Sequence, residues 1–196
     1  MQVDSHRLIG KTIARLLATQ KNIRIKERDF KYGCMKPDID KKLRSIPHYC
    51  DKSLDFVQEL VEKLSVQKLS DTAPISREYT INLGVVVHYV CDYFCFAHNS
   101  PQYDSLLLHF IYESRLAKML SRLDLNSMCK DIIDGMDEEK VTSDWCFSEY
   151  ILNKHHEYMT SRKGIFDDIA YSLEACLTVI LCITAKCMKN QEEAAA

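Results

Sequence analysis

The chain has 196 residues, 46% of them apolar and 28% charged, with a formal net charge of −2. That suits one soluble domain able to bury a substantial core, and it leaves no overall basic footprint for a nucleic acid. Five glycines and four prolines are too few for the many turns of an all-β protein, so the chain is expected to be helical.

In chain order, Ser5 reads as an N-cap, and Ile9, Ile13, Leu16 and Leu17 then share one helical stripe. Residues 32–50, YGCMKPDIDKKLRSIPHYC, are punctuated by Gly33, Pro37 and Pro47 and are expected to form a loop. Ser53 should cap a second helix with the face Leu54, Val57, Leu60, Val61 and Leu64. After a short loop around Pro74, Ser76 should start a third helix, apolar nearly all round and therefore central. That helix carries the stretch HYVCDYFCFAHN, residues 88–99, and is expected to end before Pro101.

A fourth helix is predicted over about Tyr103 to Leu120, and a short one within residues 124–141. Another should run from Thr142 or Ser143 to about Lys163, with Gly164 as its C-terminal cap. The last spans about Phe166 to Met188. The expected architecture is a single all-α domain, a multi-helix bundle over residues 1–190, followed by a disordered tail at 191–196.

Nine cysteines form an odd, irregularly spaced set with no CxxC pair, and most lie in apolar helical stretches. They read as reduced core thiols. The N-terminal MQVDSHRLIGK lacks the pattern of a signal peptide. The apolar run 175–185 is too short to cross a bilayer. The expectation is a cytoplasmic protein with no transmembrane segment.

The chemistry lies in polar residues set among apolar ones. His88 and Asp92 are four apart and project from one helix face, and His109 and Glu113 repeat that spacing. Each pair offers a metal ion two ligands from one rigid element. His48 is available to the first pair. His98, six residues beyond Asp92, would be rotated away on a regular helix and better placed for a second ion with His109 and Glu113. Alone, a His-x-x-x-Asp pair in an apolar helix is as often a satisfied core hydrogen bond as a metal site. His155 and His156, among Lys154 and Glu157, read as a solvated helix face.

The ordered string His6, Asp38, His48, His88-x-x-x-Asp92, His98, His109-x-x-x-Glu113 resembles the zinc-dependent phospholipases C, whose helical fold is shared with certain zinc-dependent single-strand nucleases. The resemblance covers about the first two-thirds of the chain. It implies a zinc cluster in a cleft at the helix ends. His48, His88 and Asp92 would hold one zinc, and His98, His109 and Glu113 a second. His6 would serve a third, bridged by Asp92, with Asp38 over the cluster acting on the attacking water. Secreted members begin with a tryptophan whose amino group and carbonyl bind that third zinc. Here the only tryptophan is Trp145, so the third site lacks its usual partner and Asp4 is the substitute considered.

The implied activity is hydrolysis of a phosphodiester, a zinc-activated hydroxide attacking the phosphorus of a phospholipid or small phosphodiester, with transient contact to a membrane surface. Two alternatives stay open: a single-strand nuclease or other phosphodiesterase on the same scaffold, and a non-catalytic zinc-binding helical protein. Glu113, where the nuclease branch usually has Asp, leans toward the lipase. Dications would also explain how acids and imidazoles occupy a stretch with no Lys or Arg between Arg77 and Arg115.

Overall fold

In the computed structural model, which describes residues 1–21, 23–67, 75–136 and 145–195, the apolar periodicity becomes eight α-helices, with no strand among the described residues. They are α1 (Val3–Gln20), α2 (Glu27–Ile39), α3 (Cys50–Ser65), α4 (Arg77–Tyr93), α5 (Leu106–Leu120), α6 (Leu125–Asp134), α7 (Phe147–Ser161) and α8 (Ile165–Ala195). Short 3-10 turns lie at Leu43–Ser45, Phe96–His98 and Pro101–Tyr103. The all-α expectation holds.

α4 is the axis of the bundle. Every residue from Tyr79 to Tyr93 except Asn82 is buried, and α1, α2, α3 and α8 pack around it. Ser76 caps it as expected, its side chain accepting from the Tyr79 N–H. Ser5 and Ser53 are not caps. α1 starts upstream of Ser5, which is buried within the helix. Ser53 also lies inside its helix, where its Oγ donates to the Tyr49 carbonyl at 3.0 Å and meets Tyr93 Oη at 2.9 Å. The Ser53 hydroxyl thus bonds back one turn instead of capping, while that of Ser5 is buried without a hydrogen bond.

The expected loop at 32–50 is the largest correction, because α2 runs through its first part. Pro37 sits in the last turn of α2, where it removes one hydrogen bond to the carbonyl four residues back, and tertiary packing outweighs the local breakers. A Cβ on Gly33 would stand 2.2 Å from the Ile81 carbonyl oxygen, and one on Gly84 would stand 2.5 Å from that of Phe30. Neither methyl fits. The two glycines let α2 and α4 cross backbone against backbone, which carries Asp38 to the side of His88.

α4 stops at Tyr93 and does not continue to Pro101. Asn99 Nδ2 closes the bend, donating at 2.9 Å to the carbonyls of both Tyr93 and Cys95. The Phe96 N–H is held by buried Asp168, Oδ2 at 3.2 Å. His98 therefore leaves the α4 axis.

The predicted Pro74 loop and the Thr142 or Ser143 helix start lie outside the described residues. Gly164 does not cap α7, whose C-terminal flank is Arg162. Its N–H and that of Lys163 instead donate to Asp167 Oδ2, at 3.0 and 2.6 Å, opening α8. The backbone of α8 stays helical through Ala195, past the residues expected to fray, while residue 196 lies outside the described set.

Over Ile165–Asn190, well beyond the apolar run 175–185, α8 is long and apolar enough to cross a membrane by length and composition. Yet 72% of its most apolar window is buried, and α3, α4, α5, α6 and α7 pack on it. That burial is the pattern of a core helix.

Candidate metal centre

Six parts of the fold deliver one cluster. α1 brings His6, the end of α2 brings Asp38, and the segment before α3 brings His48. α4 supplies His88 and Asp92, the following 3-10 turn supplies His98, and α5 supplies His109 and Glu113.

Asp92 is at the centre. Its Oδ2 lies 2.9 Å from His48 Nδ1 and 3.2 Å from His88 Nε2. Its Oδ1 lies 3.2 Å from His6 Nε2 and 3.6 Å from His98 Nε2. Glu113 Oε1 is 3.0 Å from His109 Nε2 and 3.3 Å from His98 Nε2. Asp38 stands slightly back, its Oδ1 at 3.8 Å from His88 Nε2 and 3.9 Å from His48 Nδ1. All eight residues singled out by the sequence thus meet, and the bend after Tyr93 joins into one cluster the two groups that helical spacing kept apart.

Two participants were not anticipated. The buried amino group of Met1 pairs with Asp92, lies 2.9 Å from Glu113 Oε1 and 3.0 Å from His98 Nε2. Asp4, the substitute considered, is exposed and paired with Arg7 at 3.1 Å. The second is Cys95, which lies among the ligand-type atoms of His98 and Glu113. Spacing alone gave little signal for either, although Cys95 precedes His98 by three residues. His155 is also not simply solvated: its Nε2 lies 2.7 Å from Asn99 Oδ1 and supports the bend.

The donor set fits zinc. His88 Nδ1–H donates to the Cys34 carbonyl at 2.8 Å, leaving Nε2 with its lone pair toward the cluster. His6 Nδ1 and Nε2 and Asp38 Oδ2 are buried without a hydrogen bond, the 3.2 Å approach of His6 Nε2 to Asp92 being misaligned for one. Three groups have one ligand atom from each residue, all within 4.8 Å: His6, His88 and Asp92; Asp38, His48 and His88; Cys95, His98 and Glu113. Imidazole, carboxylate and thiol at such spacing are zinc ligands by type.

The electrostatics are those of a site built around positive charge. Burial opposes ionisation of Asp92, but the Met1 amine and the surrounding imidazoles hold its carboxyl well below the usual range. Glu113 is shifted the same way against burial, by that amine and by hydrogen bonds from His109 and His98. Burial, then the Met1 amine, lowers His98. Burial also pulls His48 down, yet the hydrogen bond and charge of Asp92 leave it raised. Burial, assisted by the charge of Asp92 and opposed by His88, lifts Asp38.

His6 is lowered to about 3, by burial first and the neighbouring His88 second. Below pH 6.5 the unfolded chain therefore binds a proton at His6 that the metal-free native protein refuses until about pH 3. Stability falls as pH falls through that window, by about 2 kcal/mol from this residue at pH 5. Denaturant unfolding of chelator-treated protein at pH 7 and pH 5 should show this loss in the wild type. The loss should be missing from His6→Gln, since the other titrations are common to both.

A family model for zinc-dependent phospholipase C matches residues 5–165. Comparison with curated proteins and with solved structures finds no match. The matched span contains all eight ligand-type residues that gather around Asp92, and the chain belongs to the zinc-dependent phospholipase C family.

Proposed function

We propose that this protein is a phospholipase C-like phosphodiesterase that releases the phosphorylated head group of a phospholipid. The observation that carries the reading is the convergence on Asp92 of four imidazoles from α1, the segment before α3, α4 and the turn after it, with Asp38 and Glu113 against those imidazoles. His48, His88 and Asp92 would hold one zinc and His98, His109 and Glu113 a second. His6 and Asp92, with the Met1 amine beside them, frame a third site. Zinc at such positions acidifies water and stabilises charge gathering on phosphoryl oxygens.

The chain's own groups do the rest. Asp38 faces His48 and His88 with one buried oxygen lacking a hydrogen bond, a carboxylate oxygen free to accept a proton. It takes a proton from the attacking water as the new P–O bond forms. The P–O bond to the glyceryl oxygen breaks, that oxygen takes a proton from solvent, Asp38 returns its proton to solvent, and a phosphomonoester and an alcohol leave.

The first turn of α5 favours lipid over nucleic acid. Leu106, Leu107 and Phe110 are 88%, 67% and 61% exposed beside His109, while no Lys or Arg falls between Arg77 and Arg115 to meet a polyanion. An apolar rim next to the cluster suits contact with a membrane surface. The nine cysteines stand as free thiols, eight of them buried, which supports a cytoplasmic setting.

The test is to assay zinc-loaded protein side by side on phosphatidylcholine vesicles and on single-stranded DNA. Turnover of the lipid is expected, and Asp38→Asn should lower kcat by about a hundredfold or more with zinc content unchanged. Turnover of DNA alone would replace the lipid reading with the nuclease one. Full activity in Asp38→Asn would remove that carboxylate from the mechanism.

A further inference from the structure

The bend that frees His98 from α4 also turns Cys95 inward. The Cys95 N–H donates to the Asp92 carbonyl at 3.1 Å, and the His98 N–H donates to that of Cys95 at 2.9 Å. The two side chains thus come from one tight turn of backbone that Asn99 and Asp168 hold in place. Cys95 is fully buried, and its Sγ lies with a ring nitrogen of His98 and a carboxylate oxygen of Glu113, all within 4.8 Å of one another.

What sets its thiol apart is its surroundings: Cys50 and Cys129 also make no side-chain hydrogen bond among the described residues, but Cys95 lies against an imidazole and a carboxylate. Cys91 and Cys176 meet each other at 3.5 Å, Cys176 reaches the Val87 carbonyl at 3.6 Å, and Cys187 reaches that of Leu64 at 3.2 Å. Cys95 Sγ makes no hydrogen bond among the described residues. It is a buried sulfur without a protein partner, beside two groups that the proposed function already assigns to zinc.

We propose that Cys95 is a thiolate ligand to the zinc ion held by His98, His109 and Glu113. The proposal rests on the metal-centre reading and extends it. Binding exchanges the thiol proton for the metal: the S–H bond breaks, the S–Zn bond forms with the sulfur's electron pair, and the proton leaves to solvent, with no change of oxidation state. Cys95, His98, His109 and Glu113 would together offer such an ion four protein ligands, the number found in a closed zinc site, whereas a catalytic zinc keeps one position open. The two ions then divide their tasks. This one is fixed and supplies charge, while the position open to water belongs to the ion at His48, His88 and Asp92.

Cobalt(II) replaces zinc in such sites and reports sulfur directly. Full-length protein is stripped of metal and titrated with cobalt chloride alone. The wild type should show a near-ultraviolet thiolate-to-cobalt charge-transfer band that Cys95→Ser lacks and Cys91→Ser keeps. Cys95→Ser should also lose one zinc to a competing chelator about tenfold more readily.

X-ray absorption on the zinc-loaded wild type is independent of any variant's folding and should show a sulfur neighbour at about 2.3 Å. Cobalt bound without the band, a band that survives in Cys95→Ser, or a zinc shell of nitrogen and oxygen alone would each overturn the assignment while leaving the phosphodiesterase reading intact. Failure to take up any metal would overturn both.

Discussion

Asp92→Asn should empty the metal centre, with phosphodiester turnover falling by about a thousandfold or more. The amide keeps the shape of the side chain but not its charge, and Asp92 approaches His6, His48, His88 and His98 together. It is also a partner of the buried Met1 amine. Removing one member of a buried ion pair costs about 3–5 kcal/mol, because the other is left desolvated and uncompensated. Glu113, 2.9 Å from that amine, retains part of the pairing. The loss in chelator-treated protein should therefore sit toward the lower end of that range. Metal per chain by elemental analysis, with melting curves before and after chelation, separates the two effects. Full metal occupancy in the variant would remove Asp92 from the ligand set.

The second large effect is expected far from the ions in sequence. Asp168 is fully buried and accepts from Tyr112 Oη, from Tyr158 Oη at 2.8 Å, from Arg162 Nε at 2.6 Å and from the Phe96 N–H at 3.2 Å. The Arg162 guanidinium in turn lies 3.9 Å over the Phe96 ring. Asp168→Ala leaves a partly buried arginine and several donors unpaired, and about 3 kcal/mol of stability should go with it, the low end for breaking a buried pair.

Because Phe96 opens the turn that carries His98, Asp168 is a positioning residue for the metal centre. In Asp168→Asn the ion at His98 should escape to a chelator before the ion at His88, and the order of release distinguishes positioning from a general loss of stability. Equal weakening of both ions would assign Asp168 to stability alone.

Much of this was legible in the sequence, for identifiable reasons. Helix periodicity and the scarcity of glycine and proline point to an all-α protein, and the pairs His88/Asp92 and His109/Glu113 show ligand types at helical spacing, although the family resemblance of the whole ordered string was needed to read them as one metal site. α2 was hidden, since Gly33 and Pro37 carry the local marks of a loop and only the partner helix shows that Gly33 is a crossing point. Ser5 and Ser53 misled for a related reason: a hydroxyl near a helix start looks like a cap until its burial is known. The break after Tyr93 is set by the side chains of Asn99 and Asp168, the latter more than 60 residues away, so no window on residues 88–99 could contain it. Met1 and Cys95 join the site only through that tertiary bend and through the entry of α1.

The glycine-to-glycine crossing has a consequence for how this protein can change. Where two helices rest main chain on main chain, the reach from proton acceptor to imidazole is a property of the peptide skeleton, insulated from exchanges of side chains elsewhere in the interior. A lineage could rebuild most of its apolar filling and keep the reactive spacing, yet a single added methyl at Gly33 or Gly84 would pry the two rods apart.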